Sequence, residues 1–295
     1  MTPAARASVA VLAAATLFGT SATTVALLAP GAPGPSVAGM RLLVGALGLV
    51  VVVLWRAGPG EILALARRRP VWLMGLGVAG YQAFFFMGTG RAGVAVGTLV
   101  ALGLAPFMPG LLGWAMREGA PGWSWLASTV LAVAGVALIT AGGLTGGDPV
   151  GVACAVAAAA CYAVYTVVGV RLAREGSSAS AVLATSFAIG AVLLLPAAVT
   201  STWWLSPSGL LAVVWLGLGV TTLAYLLFGI GLKHLQPGHI ATLTVLEPAV
   251  ATILGVLVLG ESLGIAGWLG CLLVFCALAL LGVVENRRPA AKAAT

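Results

Sequence analysis

The chain is 295 residues long, 61% apolar and only 7% charged. A soluble domain carries about 25% charge, so a water-solvated globular fold is excluded and a lipid environment is implied. The formal net charge of +7 comes from basic residues scattered among short loops, not gathered on one face, which excludes a nucleic-acid surface.

A membrane-crossing helix needs about 20 apolar residues. Ten such stretches follow in order: 8–28, 36–56, 70–89, 92–116, 123–141, 149–172, 179–199, 208–231, 237–259 and 263–284. The first follows Arg6 and resembles a secretory leader, but cleaving it would leave nine spans and break the pattern, so an uncleaved helix is expected. Clusters of proline and glycine punctuate the series, as at Pro30–Pro35 and Gly142–Pro149. From Gly176 to Leu232 no residue is charged, and Thr200 to Pro207 supply the turn between two spans there.

The stretches fall into two sets of five, residues 1–147 and 148–295. Because five is odd, the second set enters the membrane with the opposite orientation, an inverted repeat. The likeness is clearest late in each half: Gly90-Arg91, Pro106 and Glu118 parallel Gly231 to Lys233, Pro248 and Glu261 at an offset close to 142 residues, and Trp125 keeps register with Trp268. Gly93 with Gly97, and Ala251 with Gly255, form small-residue pairs that let helices approach closely.

Loop charges set the expected topology. Arg6, Arg56, the Arg67–Arg69 run, Arg117, Arg171, Arg174, Arg287, Arg288 and Lys292 are assigned to one face, and only Arg91 and Lys233 to the other. The excess places both termini in the cytoplasm of a cell with an inner membrane. The loop carrying His234 and His239 is assigned to the external side as solvated chain. Gly260-Glu261-Ser262-Leu263-Gly264 matches a nucleophile-elbow pattern, but it lies between helices without a histidine partner and is read as a tight cytoplasmic turn. Tryptophans near span ends, such as Trp55, Trp72, Trp123 and Trp268, read as an interfacial belt.

The residues Phe18-Gly19-Thr20-Ser21, Arg41, the short basic turn before the fourth span, Leu246-Glu247-Pro248-Ala249 and Gly260-Glu261-Ser262-Leu263 together resemble the EamA-type carriers of the drug/metabolite transporter superfamily. The likeness covers about residues 8 to 284. It implies ten helices, a central cavity between the halves, and movement of small metabolites such as amino acids, usually outward. Phe18 stands where that group often has tryptophan, and Ala105-Pro106 stands in the first half where Glu247-Pro248 stands in the second.

Glu247 is the sharpest single residue, because a carboxylate inside an apolar span costs at least about 2.5 kcal/mol to insert. Three cargoes suit it: a proton, a cation or a substrate ammonium group. The plainer reading is that it ties helices together by hydrogen bonds. Pro248 is expected to kink its helix beside it, and Pro106 to do the same in the first half, giving paired gating or coupling positions at one central site. Polar and aromatic residues at helical spacing are the candidates for the lining: Thr20, Tyr81, Gln82, Phe85, Tyr162, Tyr165, Thr221, Tyr225 and Phe228. Arg41 lies near the end of its span and is expected to snorkel to the cytoplasmic surface.

The four cysteines lie within apolar spans without metal-ligand spacing and read as packing residues; no metal or cofactor is implied. The expectation is an all-α, polytopic carrier, not an enzyme, that moves a small polar or amphipathic metabolite, most simply an amino acid, by alternating access. Its partners are that solute and the bilayer, with proton coupling as an option. A helical channel and a broad-specificity drug efflux carrier are the alternatives.

Overall fold

The computed structural model describes residues 2–105, 107–108, 111–112, 123–141, 148–235 and 243–292. Every regular element among them is helical. Helix α1 (Pro3–Gly19) opens on proline with the Thr2 hydroxyl accepting from the Ala5 amide at 3.2 Å, both helix-start devices. The Thr20 amide turns back onto the Leu17 and Phe18 carbonyls, and α2 (Ser21–Leu28) completes the same span.

The chain continues through α3 (Gly34–Ala57), the short α4 (Gly60–Ala66), α5 (Arg69–Ala92), α6 (Val94–Leu104), α7 (Trp123–Ala141), α8 (Pro149–Arg174) and α9 (Ala179–Ala198). The next span is composite. It comprises α10 (Pro207–Val214), a nine-residue π-helical stretch at Trp215–Leu223, and α11 (Ala224–His234). Helices α12 (Leu246–Leu257) and α13 (Ile265–Lys292) follow.

Six segments are long and apolar enough to cross a bilayer, at Ala5–Leu28, Gly34–Ala57, Arg69–Ala92, Pro149–Leu172, Ala179–Ala198 and Pro207–Gly231. Shorter apolar helices at Val94–Leu104, Leu126–Leu138, Leu246–Leu257 and Ile265–Leu280 stand where the fourth, fifth, ninth and tenth stretches were expected. The exposed tryptophans Trp55, Trp72, Trp123 and Trp268 lie at or near helix ends, as an interfacial belt requires.

Helices pack as partners across the two halves of the chain: α1 with α11, α3 with α9, α5 with α8, α6 with α12 and α7 with α13. Lipid supplies no hydrophobic force between helices, so close approach and interhelical hydrogen bonds must hold them. Gly45 and Gly48 of α3 receive the side chains of Thr221 and Thr222 in the π-helical stretch. The Thr222 hydroxyl also donates to the Gly45 carbonyl at 3.2 Å. Gly255 of α12 lies directly against Ala95 of α6, and Gly97 of α6 lies against Gly88 and Thr89 of α5.

Side-chain contacts also define the two ends of the bundle. At one, the Arg91 side chain pairs with Asp148 at 2.5 Å, and the Glu261 carboxylate accepts from the Val94 amide at 2.5 Å and the Ala95 amide at 2.7 Å. The Gly260–Gly264 turn therefore lies on the same face as Arg91, which corrects its assignment to the opposite one. At the other end Arg68 pairs with Glu175, and Glu61 accepts from the Ser178 hydroxyl at 2.7 Å.

Helix α11 runs antiparallel to α1, with Gly231 against Val11 and the Trp215 indole donating to the Thr20 hydroxyl at 3.1 Å. The chain at Lys233 and His234 consequently sits with the amino terminus, not across from it. Both corrections have one cause. Successive spans alternate in direction, so α11 returns the chain to the amino-terminal face and α12 carries it to the Arg91 face.

Candidate functional site

Helix α12 begins abruptly. Residues 243 and 244 are helical, Val245 is a turn, and the new helix starts at Leu246. Glu247 is therefore in the first turn of α12, about 15 Å of helix rise from its far end, near half the thickness of a hydrocarbon core of about 30 Å. Pro248 is the third residue of this helix, a position whose amide needs no intrahelical acceptor. It does not kink a continuous helix as expected; the interruption precedes it, and its carbonyl accepts from the Thr252 hydroxyl at 2.8 Å. Helix α6 ends at Leu104, just before Pro106, which lies outside the described residues. His239, Arg117 and the glycine cluster at 142–147 lie outside them as well.

All four tyrosines of the chain converge on Glu247. Tyr81 comes from α5, Tyr162 and Tyr165 from α8, and Tyr225 from α11, and each interacts electrostatically with the carboxylate. Ring centroids lie 5.7 Å apart for Tyr81 and Tyr162 and 5.2 Å apart for Tyr162 and Tyr165. Tyr165 and Tyr225 interact electrostatically.

Phe85 extends the chain of rings from Tyr81 at 5.9 Å, and Phe86 follows at 5.4 Å. Phe18 and Phe187 flank Tyr225 edge-on at 5.1 and 5.0 Å. Glu247 and the tyrosines are deep in the bundle yet partly accessible. Their free surface therefore lines an internal hollow.

Arg41 completes the circuit. It does not snorkel: it is 5% exposed, its Nε donates to the Thr221 hydroxyl at 3.0 Å, its Nη1 reaches Ser21 at 3.5 Å, and its Cζ lies 5.7 Å from the Phe86 ring centroid. Helix α3 starts at Gly34, which packs on Met87 near the Arg91 end, so Arg41 is not close to the opposite surface. The π-helical stretch holds Thr221, whose hydroxyl donates to the Leu216 carbonyl five residues back at 2.8 Å. Such widened turns are frequent at functional sites.

Among the other expected lining residues, Gln82 is 1% exposed, with no partner for Oε1 among the described residues. Thr20 serves the α1–α2 break through its bond to the Leu17 carbonyl at 2.7 Å. Phe228 is partly exposed one turn beyond Tyr225 and joins none of the ring pairs among the described residues. Arg41, Ser21, Phe18 and Phe187 belong to the site although lining arguments from sequence did not select them. For Arg41 the available signal was its charge inside an apolar span.

A cavity of about 580 Å³ opens at the Arg91 end, lined by residues including Ala22, Val25, Pro30, Thr89, Arg91 and Glu261. Phe86 lines this cavity as well, with the Arg41 guanidinium over its ring. The mouth is fixed by Glu261: Gly93, at φ 91°, lets the chain turn sharply into α6, and the carboxylate satisfies the first two amides of that helix. Nearby, the Val150 amide and Arg91 hold the Asp148 carboxyl below the usual carboxylate range.

Comparison with known proteins agrees with this architecture. Residues 149–283 match the EamA-like transporter family. The chain is 34% identical to the uncharacterized transporter YwfM of Bacillus subtilis, over 97% of each chain. It is 31% identical to the threonine/homoserine exporter RhtA of Salmonella typhimurium, over 79% of this chain and 76% of that one. The Escherichia coli protein of the same name matches at the same identity and coverage. A solved crystal structure, 24% identical, shares the fold with a TM-score of 0.67 over 95% of this chain and 98% of that one. The chain is thus a multi-pass membrane transporter and belongs to the EamA-like family of the drug/metabolite transporter superfamily.

Proposed function

We propose that this transporter is a secondary carrier that exports an amino acid or a closely related amphipathic metabolite across the inner membrane, with both termini cytoplasmic. The observation that carries the reading is Glu247, a carboxylate at the mid-depth break of a span, facing every tyrosine the chain has across one hollow. Intramembrane carboxylates are expensive and functional by default. A mostly aromatic lining with one acid and one base suits a small amphipathic solute better than a multiply charged phosphate. The printed name of the RhtA relatives, a threonine/homoserine exporter, points to the same solute class.

Alternating access between two inverted five-helix repeats, 1–147 and 148–295, is the mechanism we infer. Two features support it. Exchanging each span with the one five places away maps the packing partners onto themselves: α1 with α11 becomes α8 with α5, while α3–α9, α6–α12 and α7–α13 each return to themselves. The end of α6 at Leu104 and the start of α12 at Leu246 are also separated by the same 142 residues as Pro106 and Pro248. Paired interruptions of this kind mark the sites of inverted-repeat carriers. With Lys233 moved to the amino-terminal face, Arg91 is left as the loop cation opposite it among those described, which strengthens the charge bias.

The test is reconstitution in liposomes, with labelled threonine, leucine and phenylalanine screened for flux with and without a pH gradient. A carrier gives saturable flux that accelerates when unlabelled substrate is loaded on the opposite side. Unsaturable flux scaling with the gradient would identify a channel instead. Acceleration by an opposing pH gradient would assign the proton as the coupling ion.

A further inference from the structure

Arg41 is a buried donor without an acidic acceptor. Its described partners are the hydroxyls of Thr221 and Ser21 and the face of Phe86, all neutral. A guanidinium carries five N–H donors, so three have no acceptor among the described residues. Buried cations are ordinarily paired, because an uncompensated charge away from water is costly. The one carboxylate among the electrostatic neighbours of Arg41 is Glu247, and the two do not approach within the 4.0 Å of an ion pair. A cation on α3 and an anion on α12 are therefore electrostatic neighbours that form no ion pair with each other.

We propose that Arg41 is the carboxylate receptor of this site and Glu247 its ammonium receptor, so that the ligand is an α-amino zwitterion. The inference rests on the hollow being the transport site. A guanidinium fork matches a carboxylate through two parallel N–H donors. Thr221 on Nε and the ring of Phe86 fix the plane of that fork. A bound zwitterion places opposite charge on each receptor and leaves its own side chain against the tyrosine rings. An amine lacking the carboxylate leaves Arg41 unmatched, and an acid lacking the amine leaves Glu247 unmatched.

Competition against labelled phenylalanine flux in proteoliposomes tests this without altering the protein. Phenylalaninamide lacks the carboxylate, and 3-phenylpropionate lacks the ammonium group. Each should compete about tenfold or more weakly than phenylalanine itself. In Arg41→Gln the preference for phenylalanine over its amide should vanish while the preference over 3-phenylpropionate stays; Arg41→Lys, which keeps the charge but loses the fork, should be intermediate.

An amide that competes as well as phenylalanine in the unaltered protein would overturn the proposal. So would an Arg41→Gln protein, monodisperse by gel filtration, in which affinity for acid and amide falls equally. Saturable flux of simple amines with no preference for amino acids would sink the zwitterion site and leave the carrier intact. Absence of saturable flux for every solute would sink the carrier reading itself.

Discussion

Gly19 lies so close to Glu247 that a methyl group on its Cα would stand 2.8 Å from the Glu247 carbonyl oxygen and equally near Cβ of Val250. The break between α1 and α2 thus braces the first turn of α12, and the height of the carboxylate in the hollow depends on a residue without a side chain. Gly19→Ala should destabilise the protein by about 1–3 kcal/mol through overpacking. Thermal unfolding in detergent checks this, with Gly60→Ala as the control. A methyl at Gly60 meets nothing within 4 Å, so the control should be neutral or slightly stabilising.

Glu261 is the cap of α6, and its two acceptor bonds hold the α12–α13 turn against the first half of the chain. Glu261→Ala leaves both amides unsatisfied, a loss of about 1–3 kcal/mol. Hydrogen exchange at Val94 and Ala95 should accelerate about tenfold or more, with Glu261→Gln between the two. Unchanged protection would mean that water replaces the cap without penalty.

At the other end of the bundle, Arg68 holds the Glu175 carboxyl below the usual carboxylate range, with Arg171 adding to the effect. A carboxylate whose folded value is depressed stabilises the fold above its unfolded value, and that contribution is lost as pH falls through the folded one. The 175–178 segment should therefore keep its hydrogen-exchange protection from neutral pH down to the ordinary carboxylate range and lose it only below. Glu175→Gln should remove that acid transition, and high salt should weaken it, because the pair is exposed.

Tyr225 joins two kinds of contact, polar interaction of its hydroxyl with Tyr165 and edge-on packing of its ring against Phe18 and Phe187. Tyr225→Phe removes the first and keeps the second, at a loss of about 0.5–1.5 kcal/mol. Tyr225→Ala forfeits both ring pairs too, each worth about 0.5–1.5 kcal/mol, and should lower solute affinity as well as stability. Equal unfolding temperatures for the two variants would show that the rings are not packed as described.

The apolar spans are legible in the sequence itself. Six of the apolar stretches became full-length helices because hydropathy and length decide that question almost alone. Tyr81, Tyr162, Tyr165, Tyr225 and Glu247 stand out in the sequence as polar groups in the middle of apolar spans. The burial of Arg41 is not legible there. Its acceptor, Thr221, lies 180 residues away on a π-helical stretch that periodicity does not reveal. Pro248 misled because proline is compatible both with a kink and with a helix start, and only the backbone ahead of it decides between them.

Whether Glu247 takes part in carrying solute is read from exchange in proteoliposomes. Glu247→Gln keeps the size of the side chain and removes its charge, so a folded protein is expected whose saturable exchange of phenylalanine or threonine falls about tenfold or more. Exchange at the unaltered rate would remove Glu247 from solute transport and leave it as a tie between helices.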